Sequence, residues 1–166
     1  MYTAASAPLR DAMDFAYLTG QRPGDALRMT AHDIIEGHLI VTQEKTKQPL
    51  RIVIRGKLAG LVKRIEERKA THKIETAALL VNMHGKRLTA PVLRNQFDDA
   101  KKKAAVATPD LAEAVKAFWF YDLRAKAADD TSDERGQAAS DLLGHDSVRT
   151  TQRHYLRRGK IVDPTK

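Results

Sequence analysis

Apolar residues recur at helical spacing along most of this chain, and this period restricts the fold to a predominantly helical one. In the first such segment, four apolar residues fall at i, i+3, i+4 and i+7: Leu9, Ala12, Met13 and Ala16. The spacing predicts an amphipathic helix over 8–18, and Gly20 can supply the positive φ that often ends a helix. Similar patterns predict further helices over about 23–29, 57–69, 92–103, 109–117, 121–130, 134–143 and 147–155.

Two short runs of aliphatic and β-branched residues interrupt the helical pattern. They cover 39–42 and 50–54, and the polar stretch between them has the length of a hairpin connection. Residues 79–81 predict a third short strand, which ends in a turn. The predicted fold class is therefore mostly α with a small antiparallel β-sheet (α+β), in a single domain over 1–166.

Charge, cysteine content and histidine spacing narrow the range of partners. The chain has 29 Lys plus Arg against 21 Asp plus Glu in 166 residues, a net charge of +8. This balance predicts an anionic partner such as nucleic acid, although a basic surface can also serve solubility alone. The absence of cysteine excludes disulfides and Cys-ligated metal centres and favours a reducing, cytoplasmic location. The six histidines show no ligand spacing, so no metal site is predicted.

Short polar motifs follow one another in a fixed order. They are Thr19-Gly20-Gln21-Arg22, Lys45-Thr46-Lys47, Tyr121-Asp122-Leu123-Arg124, Leu143-Gly144-His145 and, ten residues after His145, Tyr155. Taken singly, each key residue has a structural explanation. Arg22 and His145 can cap helix C-termini, Arg124 can form a helix salt bridge, and Tyr155 can be a packing residue. The ordered set resembles the catalytic domain of the tyrosine recombinases, the phage integrase family, over about residues 5–158.

That resemblance implies the fold of this catalytic domain and site-specific DNA recombination by transesterification. In the family a tyrosine attacks the scissile phosphate, forms a 3′-phosphotyrosyl link and releases a 5′-hydroxyl. No cofactor and no metal are implied, because the phosphotyrosine conserves the bond energy. The implied partners are double-stranded DNA attachment sites. The implied assembly is a tetramer on paired sites and a monomer in isolation, in the cytoplasm of a bacterial or phage-infected cell, associated with the nucleoid.

The resemblance also implies roles for individual residues. Arg22 and Arg124 match the two arginines that bind the non-bridging oxygens of the scissile phosphate, a task that suits permanently charged guanidinium forks. Lys45 matches the hairpin lysine that protonates the leaving 5′ oxygen, and Lys47 is a rival two residues further on. His145 matches the histidine that hydrogen-bonds the phosphate or assists proton transfer.

Two positions depart from the family pattern. Tyr121 stands where the family usually has the histidine of H-x-x-R, and a phenol is a poorer general base near neutral pH. We therefore expect Tyr121 to hold the phosphate by a hydrogen bond, or the activity to be reduced. Tyr155, the predicted nucleophile, follows His145 by ten residues, whereas the commoner spacing of nine would fall on His154. A tyrosine pKa is ordinarily near 10, so attack at neutral pH needs a base and a positive field.

Basic residues outside the motifs predict contacts with the DNA backbone. They are Lys47, Lys86, Arg87, Lys101, Lys102, Lys103, Arg149 and Arg153. Family members usually carry an N-terminal DNA-clamping domain, so we expect this chain to be a catalytic domain without it, ending in a polar tail over 157–166. Two alternatives remain open: strand relaxation of the type IB topoisomerase kind, and DNA binding with lost or weakened catalysis, which Tyr121 favours.

Overall fold

Helices make up most of the computed structural model, which describes residues 1–44, 47, 49–131 and 137–155. The helices are α1 (Ala7–Thr19), α2 (Pro23–Arg28), α3 (Gly56–Ala70), α4 (Ala90–Ala107), α5 (Ala112–Ala117), α6 (Asp122–Thr131), α7 (Gln137–Leu143) and α8 (Val148–His154). The strands are β1 (Ile34–Ile35), β2 (His38–Thr42) and β3 (Pro49–Val53). Single turns of 3-10 helix lie at Tyr2–Ala4, Ala31–Asp33 and Pro109–Leu111.

The other helices of the core are arranged around α1. Its N-terminus is capped by Ser6, whose Oγ accepts a hydrogen bond from the Leu9 N–H at 3.4 Å. It ends at Gly20, which adopts the left-handed conformation with φ 64°. Along its length it packs against α2, α3, α4 and α6 and buries Leu9 and Phe15 completely. The end of α1 is thereby held beside α6, close to Arg124.

The three strands form one antiparallel sheet in the order β1-β2-β3. Leu39 and Val41 of β2 are buried while their neighbours are more exposed, the period of two that a half-buried strand shows. The hairpin of β2 and β3 confirms the predicted pair of strands. The predicted strand over 79–81 is wrong, since Val81 forms an isolated bridge with Arg87 outside the sheet. Its residues are apolar because they are buried in the core, and the third strand is the two-residue β1, too short to give a periodic pattern.

A second, smaller hydrophobic cluster joins α6, α7 and the end of α8. Its members are Ala125, Ala128, Ala139, Leu143 and Tyr155. The small alanine side chains leave room for one large ring between the helices, and Tyr155 supplies it. The cluster therefore holds the predicted nucleophile against the helices that bear the other C-terminal motifs.

The predicted fold class is confirmed, and most of the helices lie close to their predicted bounds. The predicted tail over 157–166 lies outside the described residues. Among the residues that are described, no helix is both long enough and apolar enough to cross a membrane.

Candidate active site

Five of the six predicted catalytic residues meet at one place, although they are spread along the chain. They are Arg22 at the start of α2, Tyr121 and Arg124 at the start of α6, and His145 and Tyr155 on either side of α8. The sixth, Lys45, lies outside the described residues, and its rival Lys47 is exposed. The folded chain thus brings motifs that are far apart in sequence to a single candidate active site.

Arg124 is almost completely buried, with 1% of its surface exposed, because two helix ends surround it. One terminal nitrogen donates to the Gly20 carbonyl after α1, and the other donates to the Leu143 carbonyl of α7 at 2.9 Å. Carbonyls at helix C-termini lack helical partners and carry partial negative charge, so they compensate the guanidinium. Its Nε is buried without a hydrogen-bond partner in the structure. Burial, and then the charge of Arg22, lowers the pKa of Arg124, but a guanidinium stays charged.

A pair of buried glutamines fixes Arg22. Gln43, directly after β2, accepts a hydrogen bond from the Arg22 guanidinium at 2.9 Å. The Gln43 amide nitrogen donates to the Gln21 side-chain oxygen and to the Leu143 carbonyl, both at 2.8 Å. Gly144 permits this approach, since a Cβ there would lie 3.0 Å from the Gln43 amide nitrogen. The network ties α2, β2 and α7 together around the two arginines.

Asp25 connects α2 to the start of the hairpin turn. It is buried, accepts a hydrogen bond from the Glu44 N–H at 3.0 Å and forms an ion pair with Arg28. Its other oxygen lies 3.8 Å from the Arg22 guanidinium. Because Glu44 directly precedes Lys45, this contact sets where the chain leaves β2 toward the predicted leaving-group acid.

The ring of His145 lies between Arg124 and α8. Its Nε2 is 3.1 Å from a terminal nitrogen of Arg124, and its Nδ1 is 2.8 Å from the hydroxyl of Thr151. The ring centre is 4.9 Å from that of Tyr155. Burial, followed by the positive charges of Arg124 and Arg22, lowers the pKa of His145 to about 4. The imidazole is therefore neutral at pH 7.

This lowered pKa makes stability depend on pH. An unfolded histidine titrates near pH 6.5, so below that pH the unfolded chain binds a proton that the folded chain does not bind until about pH 4. The free energy of unfolding therefore falls as the pH falls through this window, and we expect about 1 kcal/mol less stability from this group at pH 5 than at pH 7 after solvent screening. In urea denaturation, the His145→Gln variant should not show this fall in the free energy of unfolding between pH 7 and pH 5. The His154→Gln variant, changed at an exposed position, should show it. Equal pH dependence in the wild type and His145→Gln would contradict the buried neutral imidazole.

The hydroxyls of Tyr155 and Tyr121 share a short hydrogen bond. The guanidinium carbon of Arg124 lies 5.2 Å from the centre of the Tyr155 ring. Burial raises the pKa of Tyr155, but the hydrogen bond from Tyr121 and the charges of Arg124 and Arg22 outweigh it and lower the pKa below its ordinary value. Burial and the contact with Tyr155 raise the pKa of Tyr121. Ionisation of the pair therefore favours Tyr155, with Tyr121 as the hydrogen-bond donor.

Acidic and histidine side chains are not grouped for metal binding in the part of the chain that the structure describes, where no cluster of three or more could hold an ion. The positive charge at the site comes from Arg22 and Arg124. Two guanidinium groups can bind the oxygens of a phosphate directly.

Comparison with known proteins identifies the family of this chain. A sequence model of the phage integrase family matches residues 1–160. The chain belongs to the phage integrase family. It is 29% identical over 160 residues to the integrase of Escherichia phage HK022, a match that covers 93% of this chain and 43% of that relative. The chain spans less than half the length of the curated relatives it matches.

Solved structures share the fold. A lambda integrase tetramer bound to a Holliday junction matches 99% of this chain and 48% of its own, with TM-score 0.73 and 22% identity. The lambda integrase catalytic core matches 87% of this chain and 85% of its own, with TM-score 0.65 and 24% identity. The resemblance inferred from the motifs is confirmed, as is the fold it implied.

Both departures from the phage integrase pattern can be located in the structure. Tyr121 directs its hydroxyl to Tyr155. His154, where the commoner spacing would put the nucleophile, is exposed at the end of α8, while the next residue, Tyr155, is buried in the small cluster. The extra residue thus places a tyrosine ring, and not the exposed histidine, beside Arg124.

The predicted DNA-backbone residues of this chain differ in their exposure and in their protein partners. Seven are exposed: Lys47, Lys86, Arg87, Lys102, Lys103, Arg149 and Arg153. Two residues bond to backbone carbonyls: Arg87 donates to the Leu27 carbonyl at 2.8 Å, and Lys101, which is partly buried, donates to the Lys116 carbonyl at 2.6 Å. Their contact with DNA stays a prediction.

Three buried polar residues that hold the site were missed from the sequence: Gln21, Gln43 and Thr151. The sequence contains a pattern that could have predicted each of them. The inward alternation of Leu39 and Val41 continues to Gln43, and Thr151 precedes Tyr155 by about one helical turn. Gln21 lies within the Thr-Gly-x-Arg motif itself.

Proposed function

We propose that this chain is the part of a site-specific, phage-type recombinase that cleaves and rejoins DNA strands. The observation that carries the proposal is the setting of the Tyr155 hydroxyl. It shares a hydrogen bond with the Tyr121 hydroxyl and lies in the field of Arg124 and Arg22, which together lower its pKa despite burial. An activated nucleophile beside positive donors is what attack on a phosphodiester requires.

In the proposed step, the Tyr155 oxygen attacks the phosphorus of one DNA strand. The new O–P bond forms, the bond from phosphorus to the 5′ oxygen breaks, and the 3′ end stays attached to the protein. As the Tyr155 proton moves to the Tyr121 oxygen, the Tyr121 hydroxyl proton passes to water, since Tyr121 is 42% exposed, and Tyr121 then donates to the Tyr155 oxyanion. The departing 5′ oxygen takes a proton from a lysine. Attack by the 5′-hydroxyl of another strand reverses these bonds and reseals the DNA.

The two arginines and the hairpin lysine are assigned the remaining roles. The guanidinium groups of Arg124 and Arg22 bind the non-bridging oxygens, and one such donor typically contributes about 3 kcal/mol to transition-state stabilisation. Lys45 is assigned as the leaving-group acid, with Lys47 as its rival. His145 hydrogen-bonds the phosphate or assists proton transfer.

We further propose double-stranded DNA attachment sites as the substrate, a tetramer on paired duplexes as the working assembly and a monomer in isolation. Support comes from lambda integrase, which shares this fold and forms a tetramer bound to a Holliday junction. The net charge of +8 suits a polyanion. The side chains of Arg149 and Arg153 are exposed one turn apart on α8, and we assign them contacts with the DNA backbone. Such a reaction belongs on the DNA of a bacterial or phage-infected cell, in its cytoplasm.

Covalent trapping tests the proposal. Duplexes with a nick near a randomised central sequence lose a short fragment on cleavage, so resealing is prevented and the intermediate accumulates. We expect an adduct that survives a denaturing gel, and mass spectrometry of its peptides should place the nucleotide on Tyr155. An adduct on any other residue would contradict the assigned nucleophile.

Trp119 offers a second measurement on the same samples. It is the chain's one tryptophan, it is 66% exposed, and it lies two residues before Tyr121. DNA that reaches the site should therefore change its fluorescence, and the apparent affinity should fall steeply as salt increases. Binding without any adduct would favour the alternative of a DNA-binding protein that has lost catalysis. Neither binding nor adduct would contradict the DNA substrate itself.

A further inference from the structure

Thr151 is a completely buried residue of α8 that the proposed chemistry does not use. Its hydroxyl lies 2.8 Å from Nδ1 of His145. Its carbonyl accepts a hydrogen bond from the Tyr155 N–H at 2.9 Å. One residue of the helix that precedes the nucleophile therefore contacts a second candidate catalytic residue.

The partners of the His145 ring determine where its single proton lies. Arg124 has N–H donors and no acceptor, so at 3.1 Å it donates, and Nε2 of His145 must be the acceptor. A neutral imidazole has one bare nitrogen and one N–H, so the proton is on Nδ1. The Nδ1–H then donates to the Thr151 hydroxyl, whose oxygen accepts it.

We propose that Thr151 is a positioning residue that holds His145 in the Nδ1–H tautomer, with Nε2 turned to Arg124, whenever α8 is docked. The inference rests on the proposed function, because a bare Nε2 cannot donate to a phosphate oxygen, and orienting His145 therefore matters to the reaction only if this nitrogen assists proton transfer there. It adds a coupling between two parts of the site. The segment that brings Tyr155 into place also orients His145, so nucleophile and histidine become competent together.

Charged groups around His145 control its charge, and the obligate donor Arg124 sets the tautomer while Thr151 holds the ring in this orientation. The ring faces Arg124 from α6, Arg22 from α2, the adjacent Asp146, and His154 from α8. The two arginines disfavour a second proton on the ring. Loss of the Thr151 hydroxyl should therefore leave the Nδ1–H without its acceptor and free the ring to turn away from Arg124, so that either nitrogen can carry the proton without charging the ring.

Nitrogen NMR of the full chain without DNA tests the tautomer directly, since protonated and bare imidazole nitrogens have well-separated shifts. His145→Gln identifies the His145 signals among those of the six histidines. We expect a protonated Nδ1 and a bare Nε2 in the wild type and in Thr151→Ser, and a mixture of tautomers in Thr151→Val, which has the same shape without the hydroxyl. Thr150→Val, at the exposed neighbouring position, is the matched control and should resemble the wild type.

The trapping assay supplies the functional readout. In Thr151→Val we expect the single-turnover rate of adduct formation to fall about 10- to 100-fold, as expected for a misplaced catalytic group, with DNA binding by Trp119 fluorescence unchanged and Thr151→Ser restoring the rate. A protonated Nε2 in the wild type would overturn the proposal even if the valine variant failed to fold. An unchanged tautomer and rate in Thr151→Val would overturn it as well. Absence of any adduct in the wild type would instead count against the proposed function, because the NMR result does not depend on DNA.

Discussion

Phenylalanine at position 155 is expected to abolish the covalent DNA adduct and to leave DNA binding and folding intact. The ring keeps its place beside Arg124 and His145, because those contacts involve the ring face and not the hydroxyl. The variant loses one hydrogen bond to Tyr121, a change in the free energy of unfolding of about 1 kcal/mol. Cleavage should fall by at least about 1,000-fold, since no nucleophile remains. Trapping on nicked duplexes measures cleavage, and Trp119 fluorescence measures binding.

Tyr121→Phe is the matched control, since it removes the other hydroxyl of the same hydrogen bond. Adduct should still form on Tyr155, but more slowly at pH 7. The hydrogen bond from Tyr121 is a cause of the lowered Tyr155 pKa, so its loss raises that pKa and moves the rise of the pH–rate profile to higher pH. An adduct in Tyr155→Phe, or an adduct that requires Tyr121 and not Tyr155, would show that Tyr155 is not the nucleophile.

Local patterns in the sequence predicted the elements because their causes are local. The i, i+3, i+4 spacing of α1 and its end at Gly20 depend on neighbouring residues, and the structure has both. The same reasoning failed at residues 79–81, where an apolar run reflects burial in the core and not pairing in the sheet. Short apolar runs do not distinguish these cases.

Predicting the site requires more than local patterns. The residues around Arg124 alone favour a salt bridge along its helix, whereas the order of the motifs favours a role in phosphate binding. Neither argument predicted that the carbonyls of Gly20 and Leu143 would enclose its guanidinium, because that depends on two helix ends meeting. The contact from Gln43 to Leu143 spans 100 residues of sequence and is equally a product of tertiary packing.

Because its guanidinium is enclosed in this way, we expect Arg124 to contribute both to stability and to cleavage. Substitution by lysine distinguishes its contribution to stability from that of Arg22. In Arg124→Lys the charge remains, but a single ammonium group cannot reproduce the planar fork that reaches both helix ends. We expect the free energy of unfolding to fall by about 2 kcal/mol, because a buried carbonyl loses its partner. Cleavage should fall by about 100- to 1,000-fold, because a donor to the phosphate is lost as well. Urea denaturation and single-turnover trapping measure the two effects independently.

Arg22→Lys is the matched comparison. The Arg22 side chain is 17% exposed and bonds to Gln43 rather than to helix ends, so the variant should lose less than about 1 kcal/mol in the free energy of unfolding. Its cleavage should fall by about the same factor as in Arg124→Lys. If both lysine variants kept full stability, the helix-end carbonyls would not depend on Arg124, and its burial would serve the phosphate alone. If both lost stability equally, the fold would depend on the two guanidinium groups together. The expected asymmetry follows because, of the two arginines, Arg124 bonds to the ends of α1 and α7, so the residue proposed to bind the phosphate also helps to hold together the helices around it.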